Sequence, residues 1–421
     1  MKRWSPALLV FGAALGLPIA TITSAGAAAT CFGKAPTVLG TEGADRLVGT
    51  ARADVISGLG GRDRIVGRGG NDRICGDAQR DRLRGGPGGD RLRGGEGSDD
   101  LWGARGDDVL IAGSGALHSL YPGAGDDLVI GARNVFDKVD YSHAPRAVSI
   151  DLGAGTARGY GSDTLRHIDD ARGSRFDDTI RGNRVWNFLF GGRGDDTISA
   201  RGNAGGIIRP DFLVGGPGND SMRGGDGFDV VDYSGSNKAV AVDLRAGRAT
   251  GQGVDALESI EGADATRVAD ILTGNGARNV FQGRAGNDRI SGGGGADIVA
   301  HFSAPRGVTV DLGAGSSKGW GSDSLESIER IYGSHKGDVL RGDGAANVLR
   351  GLSGRDVLAG RRGDDALHGG PGRDTVNGGK GSGDICAGED EIECERNAPA
   401  RTLDMAWWTA RARAPAGAGT S

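Results

Sequence analysis

Polar and apolar residues recur here with a fixed short period. Aspartates stand nine residues apart at Asp45, Asp54, Asp63, Asp72, Asp81, Asp90, Asp99 and Asp108. Two residues after each comes an aliphatic: Leu47, Ile56, Ile65, Ile74, Leu83, Leu92, Leu101 and Leu110. Each unit thus pairs one carboxylate with one core residue. A period this short predicts stacked repeats, each too small to bury a hydrophobic face alone. The expected architecture is a solenoid of such units stacked on one another.

The register continues past the first block. It returns at Asp127, then at Asp178, Asn187 and Asp196, and at Asp211, Asp220 and Asp229. It runs again through Asp270, Asn279, Asp288 and Asp297, and finally through Asp338, Asn347, Asp356, Asp365 and Asp374. A longer module is superimposed. Val148-Ser149-Ile150-Asp151-Leu152 corresponds to Val240-Ala241-Val242-Asp243-Leu244 and to Val308-Thr309-Val310-Asp311-Leu312. Each copy is followed by an aspartate twelve residues on, at Asp163, Asp255 or Asp323. The alternation inside Val-x-Val-Asp-Leu predicts a half-buried strand.

Composition agrees with a thin solenoid. Glycine supplies 82 of 421 residues and aromatics only 5%, so a large three-dimensional core is not expected. The net charge of -5 gives no general reason to expect nucleic acid or a membrane as partner.

Residues 1–29 have the form of a signal peptide: Lys2 and Arg3, an apolar run from Ala7 to Ala20, and small residues at Ala25-Gly26-Ala27 and Ala27-Ala28-Ala29. The expected location is therefore secreted, extracellular. Four cysteines, Cys31, Cys75, Cys386 and Cys394, suit disulfides in an exported chain. Three pairings are possible, and proximity in sequence favours Cys31–Cys75 with Cys386–Cys394. The expected division is a signal at 1–29, a cap at 30–39, an uninterrupted nonapeptide block at 40–111, three composite modules with nonapeptide runs at 112–385, a closing cap at 386–396 and a loose tail at 397–421.

The fullest repeat is Gly-Gly-x-Gly-x-Asp-x-aliphatic-x. Seven segments match its first six places: Gly85 to Asp90, Gly94 to Asp99, Gly191 to Asp196, Gly215 to Asp220, Gly224 to Asp229, Gly292 to Asp297 and Gly369 to Asp374. Glycine permits positive φ, so backbone carbonyls can turn toward one point. Carbonyls joined by a carboxylate make a hard-cation site of the calcium type. No cysteine or histidine accompanies the repeats, which excludes the usual zinc and copper donor sets.

This pattern resembles the haemolysin-type calcium-binding repeat, the RTX nonapeptide. The resemblance covers roughly residues 40 to 385. It implies an all-β fold, a right-handed parallel β-roll or β-solenoid with two nonapeptides per turn, and Ca2+ held between coils by aspartates and carbonyls. It makes Asp90, Asp99, Asp196, Asp220, Asp229, Asp297 and Asp374 the first candidate ligands. Asp63, Asp72, Asp108, Asp127, Asp178, Asp288, Asp338, Asp356 and Asp365 follow. Asn187, Asn279 and Asn347 would be weaker ligands, so fewer ions than repeats are expected. Arg64, Arg73, Arg82 and Arg91 follow aspartates directly and could replace calcium by ion pairs in the first block.

Other motifs point to bland roles. Gly315-Ser316-Ser317-Lys318-Gly319 matches a nucleophile-elbow string, but Ala157 and Ala249 take the serine's place in the other modules. The six histidines are scattered, lack His-Glu-x-x-His, and are expected on the surface. The reading is a non-enzymatic calcium-binding roll. Two rivals stand beside it: a calcium-dependent adhesin or glycan-binding protein contacting partners through Tyr160 and Trp320, and a polysaccharide-active β-helix enzyme.

Overall fold

The computed structural model describes residues 29–115, 117–133, 136–202, 210–388, 390–392, 394 and 396–397. The signal at 1–29, Ala29 apart, and the tail at 397–421 beyond Asn397 lie outside these residues.

A typical Asp-x-aliphatic-x unit forms a strand of three residues, such as Arg64–Val66 or Thr179–Arg181, with its central side chain inside. At Phe212, Val230, Val280 and Ile298 the side chain before the central one is buried too, in a second cluster with Phe228, Phe302 and Tyr332. The glycine-rich half reverses the chain. Successive nonapeptides alternate between two sheets, so each strand pairs in parallel with the strand two units on. Arg46 faces Arg64, and Ile56 faces Ile74. Eighteen residues therefore complete a coil, as the resemblance implies. The fold is all-β, a parallel β-roll. Between Arg73 and Gly115 the strands lengthen to six or seven residues and pairing runs into the glycine segment, with Asp77 opposite Gly95 and Gly86 opposite Ala104.

The composite modules reverse the chain locally. Ser149–Asp151, Thr156–Arg158 and Ser162–Arg166 form a three-stranded antiparallel meander. Its last strand pairs in parallel with the preceding coil at Leu128–Ile130, and its first with the following coil at Thr179–Arg181. The same meander recurs at Ala241–Glu258 and Thr309–Glu326. The roll thus stays in register across each module. The nine-residue arithmetic could not reveal an antiparallel strand, because the module's length is itself a multiple of nine.

The core is the column of aliphatics. Ile56, Ile65, Ile74, Leu83, Leu92, Leu101 and Leu110 are fully buried, and Met222 and Phe281 fill the same column. Leu101→Ala in the calcium-loaded protein should cost about 2–5 kcal/mol. Repeats contact only their neighbours, so the loss should map to adjacent coils by hydrogen exchange. A change below about 1 kcal/mol in urea unfolding would show that the column does not hold the coils together.

Both ends are stapled. Cys31–Cys75 has a Cα separation of 5.7 Å and Cys386–Cys394 one of 5.9 Å, the pairing that proximity favours. Val38–Leu39 already pairs with the coil at Val55–Ser57. Coil pairing also continues past residue 385, through Asp390–Ile392 and Arg396–Asn397.

Candidate metal sites

The repeat aspartates turn inward at the corners of the roll, where the glycine segment meets the strand. Each joins a row along the axis. The backbone N–H of Asp54 donates to Asp72 Oδ1 at 2.8 Å, that of Asp72 to Asp90 at 2.7 Å, and that of Asp90 to Asp108 at 2.7 Å. The row passes through Asp127 to Asp163. Parallel rows run from Asp45 to Asp99, Asp178 to Asp255, Asp270 to Asp323 and Asp338 to Asp374. Others join Asn187, Asp211, Asp229 and Glu261; Asn279, Asp297 and Glu329; and Asn347, Asp365 and Asp384.

One oxygen of each carboxylate is therefore satisfied. The second sorts the sites. Oδ2 is buried without a hydrogen-bond partner in Asp63, Asp72, Asp90, Asp99, Asp108, Asp127, Asp196, Asp220, Asp229, Asp288, Asp297, Asp356, Asp365 and Asp374. These are fourteen of the sixteen aspartates proposed from sequence. In the other two, Asp178 and Asp338, a serine four residues earlier supplies the missing bonds. Ser174 N–H donates to Asp178 Oδ2 at 2.5 Å and its hydroxyl to Oδ1 at 2.9 Å. Ser334 does the same for Asp338 at 2.6 and 2.8 Å.

Sequence reasoning passed over Asp81 and Asp211, whose Oδ2 atoms are equally buried and unpartnered. Asp81 follows Gly76-Asp77-Ala78-Gln79-Arg80, which lacks the expected glycines. Asp77 and Gln79 nevertheless adopt φ of 75° and 73°. The signal was the unbroken nine-residue spacing, not the glycine count.

Leaving a buried acceptor unmatched costs roughly 1–3 kcal/mol, more when it is charged. Summed over these positions, that exceeds the ~5–15 kcal/mol net stability of a typical folded protein. Burial also pushes the carboxyls up, to about 8 at Asp108, Asp196 and Asp288, to about 7 at Asp81, Asp127, Asp220 and Asp356, and to about 6 at Asp90, Asp297 and Asp365, with neighbouring carboxylates adding to the rise. Among the described residues no three His, Cys, Asp or Glu side chains converge on one point. An ion here would be held by single aspartate oxygens together with backbone carbonyls, the donor set of calcium. The orphaned oxygens and the glycine-lined corners fit such an ion. Gly85 shows how tight the corner is, since a Cβ there would collide with Asp90 Oδ2.

The profile of the RTX calcium-binding nonapeptide repeat (4 copies) matches residues 39–74, 76–110, 167–198, 208–237, 265–299, 326–358 and 350–385, together more than half of the chain. The chain belongs to the RTX calcium-binding nonapeptide repeat family. It is a calcium-binding repeat protein. No curated protein matches it.

Within this RTX chain, two sequence expectations need correction. The arginines of the first block do not reach the ladder carboxylates. Arg82 is exposed and pairs with Asp100 at 3.4 Å, and the Arg91 guanidinium lies 4.9 Å from the centre of the Phe32 ring. Arg64, Arg82 and Arg91 are exposed because the residue after each aspartate lies on the strand's outer face, while Arg73 is half-buried there with its Nε unpartnered. Two histidines are not on the surface. His118 is buried in a place of the aspartate row, its Nδ1 accepting the Asp99 N–H at 3.1 Å while its backbone N–H donates to Asp137 Oδ1 at 3.0 Å. The signal was its position nine residues before Asp127.

His301 is buried too, and the low dielectric brings its imidazole down to about 4. It occupies the place of Tyr141 and Tyr233 in the earlier modules. Those hydroxyls cap Asp163 and Asp255 at 2.5 and 2.8 Å. In the third module His301 Nε2 meets the Ser317 hydroxyl at 3.2 Å, and Ser317 bonds Asp323. The carboxylate sits on the serine rather than behind the histidine, and Ser317 is buried in an antiparallel strand. This is a cap of another composition, not a nucleophile with its base and orienting acid.

Proposed function

We propose that this is a secreted, non-catalytic protein that folds into a rigid roll on meeting calcium outside the cell. The observation that carries the reading is the set of rows of buried aspartates, each with one oxygen unpartnered. A charge so placed is tolerable only with a counter-ion. Bound calcium would supply positive charge between coils and crosslink them. The aspartates whose Oδ2 is buried and unpartnered, from Asp63 to Asp374, would hold it.

Several further features support secretion. The first residues have the form of an export signal, and both cysteine pairs are oxidised, as suits an oxidising compartment. Among the described residues no helix is long and apolar enough to cross a membrane. Extracellular calcium suffices for sites of roughly 10⁻⁴–10⁻³ M or tighter.

Titration calorimetry on chelator-treated protein tests the assignment. Several calcium ions per chain should bind, with magnesium a poor substitute because it demands stricter octahedral geometry. A flat calcium titration would rule the reading out.

A further inference from the structure

The corners of the roll come in two backbone states, set by the second residue of the repeat. In one state that residue has positive φ, as at Arg68 (85°), Gly86 (124°), Gly192 (128°) and Leu352 (76°). Its N–H then turns to the next coil: Arg68 N–H donates to Gly85 O and Gly192 N–H to Gly215 O, both at 3.0 Å. The aspartate four residues on keeps an unpartnered Oδ2, as in Asp72, Asp90, Asp196 and Asp356. We call this corner open.

In the other state the second residue is Ser, Thr, Asn or Asp with ordinary φ. Its N–H folds back onto its own repeat's carboxyl or amide oxygen. Thr50 does so to Asp54 at 2.6 Å, Thr266 to Asp270 at 2.8 Å and Asn275 to Asn279 at 2.8 Å. Its side-chain oxygen accepts the N–H two residues on, as Thr266 Oγ1 does from Val268 at 3.1 Å. A hydroxyl or amide that bonds its own backbone in this way holds the turn out of the left-handed state. This corner is closed, and it uses the oxygen an ion would need.

The closed corners are not scattered. Every aspartate row begins with one, through Thr41, Thr50, Ser174, Asn183, Thr266, Asn275, Ser334 and Asp343. The row that runs from Asp45 through His118 also ends with one, where Ala132 N–H donates to Asp137 Oδ2 at 2.5 Å. A second, independent feature follows the same division. Asn187, Asn279 and Asn347, the three asparagines in the register, all stand in closed corners. Their amides also donate outward, to Asp169 O at 2.6 Å and Glu261 O at 3.2 Å in two of the cases. Charge is dispensable where the chain itself satisfies the oxygen. Carboxylates occupy the open corners, His118 taking one place of the row in their stead.

We propose that calcium enters only open corners, and that the closed ones are built-in, ion-free ends that start each row. This rests on the calcium reading above and deepens it. The composite modules would then divide one long roll into separate ion rows, each with a metal-independent first coil. The hydroxyl and amide do there what the cation does further along.

The test compares neighbours in one row by counting calcium per chain with native mass spectrometry and calorimetry. Asp178→Asn should leave the count unchanged. Asp196→Asn should lower it by at least one. Should Asp196→Asn fail to fold, Asp338→Asn against Asp356→Asn makes the same comparison, with far-ultraviolet circular dichroism of the loaded variants confirming the fold. As a converse, Ser174→Gly frees the backbone and removes the hydroxyl, and should raise the count. If Asp178→Asn loses as many ions as Asp196→Asn, the division into open and closed corners is wrong while the calcium reading stands. If the unaltered chain binds no calcium, both fall.

Discussion

Removing calcium at pH 8 is expected to abolish most of the roll's β-structure. Each ion row stacks ionised carboxylates along one line, with successive coils about 4.8 Å apart. The row amides satisfy only one oxygen apiece, as at Asp72, Asp90 and Asp108. One aliphatic per nonapeptide is too slender a core to absorb the rest. A site held at a hundred times its dissociation constant contributes about 2.7 kcal/mol, so several sites together decide whether the chain is folded. Far-ultraviolet circular dichroism before and after chelation reads this directly. The β-signal should fall to a small remainder and return cooperatively on adding calcium. The coils near the two disulfides should keep the most protection. Identical spectra with and without chelator would refute the mechanism.

The second large effect is on pH, and its direction is opposite to ordinary acid denaturation. The row carboxyls of the metal-free fold are raised by burial, to about 8 at Asp108, Asp196 and Asp288 and about 7 at Asp81, Asp127, Asp220 and Asp356. In the unfolded chain an aspartate titrates near ~3.9. The fold therefore binds more protons than the unfolded chain between about pH 4 and pH 8, and stability falls as pH rises through that window. Protonation neutralises the rows as calcium does. The chelated protein should recover at pH 5 much of the β-signal it lacks at pH 8, read by far-ultraviolet circular dichroism. Calcium should raise the melting temperature strongly at pH 8 and little at pH 5, where protons compete for the same oxygens. A chelated sample that is more stable at pH 8 would show that these carboxyls are not buried as described.

The closed corners qualify both expectations. Asp178, Asp270 and Asp338 are also raised by burial, but hydrogen bonds from Ser174, Thr266 and Ser334 oppose the rise. Coils that begin each row should thus respond least to chelator and to pH. Away from the two disulfide-stapled ends, residual exchange protection in the chelated protein should map there.

Much of this molecule was legible in its periods. Asp-x-aliphatic every nine residues dictated a stacked solenoid with a column of aliphatic core side chains. Short strands and two units per coil came with the resemblance to the RTX repeat, and the second cluster around Phe212, Val230 and Phe302 only with the structure. The spacing also located the carboxylates, including Asp81 and the histidine at 118 once register is preferred to glycine count. What only the tertiary structure decided is which carboxylates are left needing an ion. That depends on the φ of the residue four places earlier and on where its N–H points. Asp77 and Asp343 hold the same place in their repeats, yet Asp77 is left-handed and leaves Asp81 Oδ2 bare, while Asp343 closes onto Asn347. The antiparallel meanders and the tyrosine, serine and histidine caps on Asp163, Asp255 and Asp323 were likewise invisible along the chain. The two tyrosine caps join residues 22 apart and the His301–Ser317 contact residues 16 apart, and only the folding of the coils brings such distant groups within reach of one hydrogen bond.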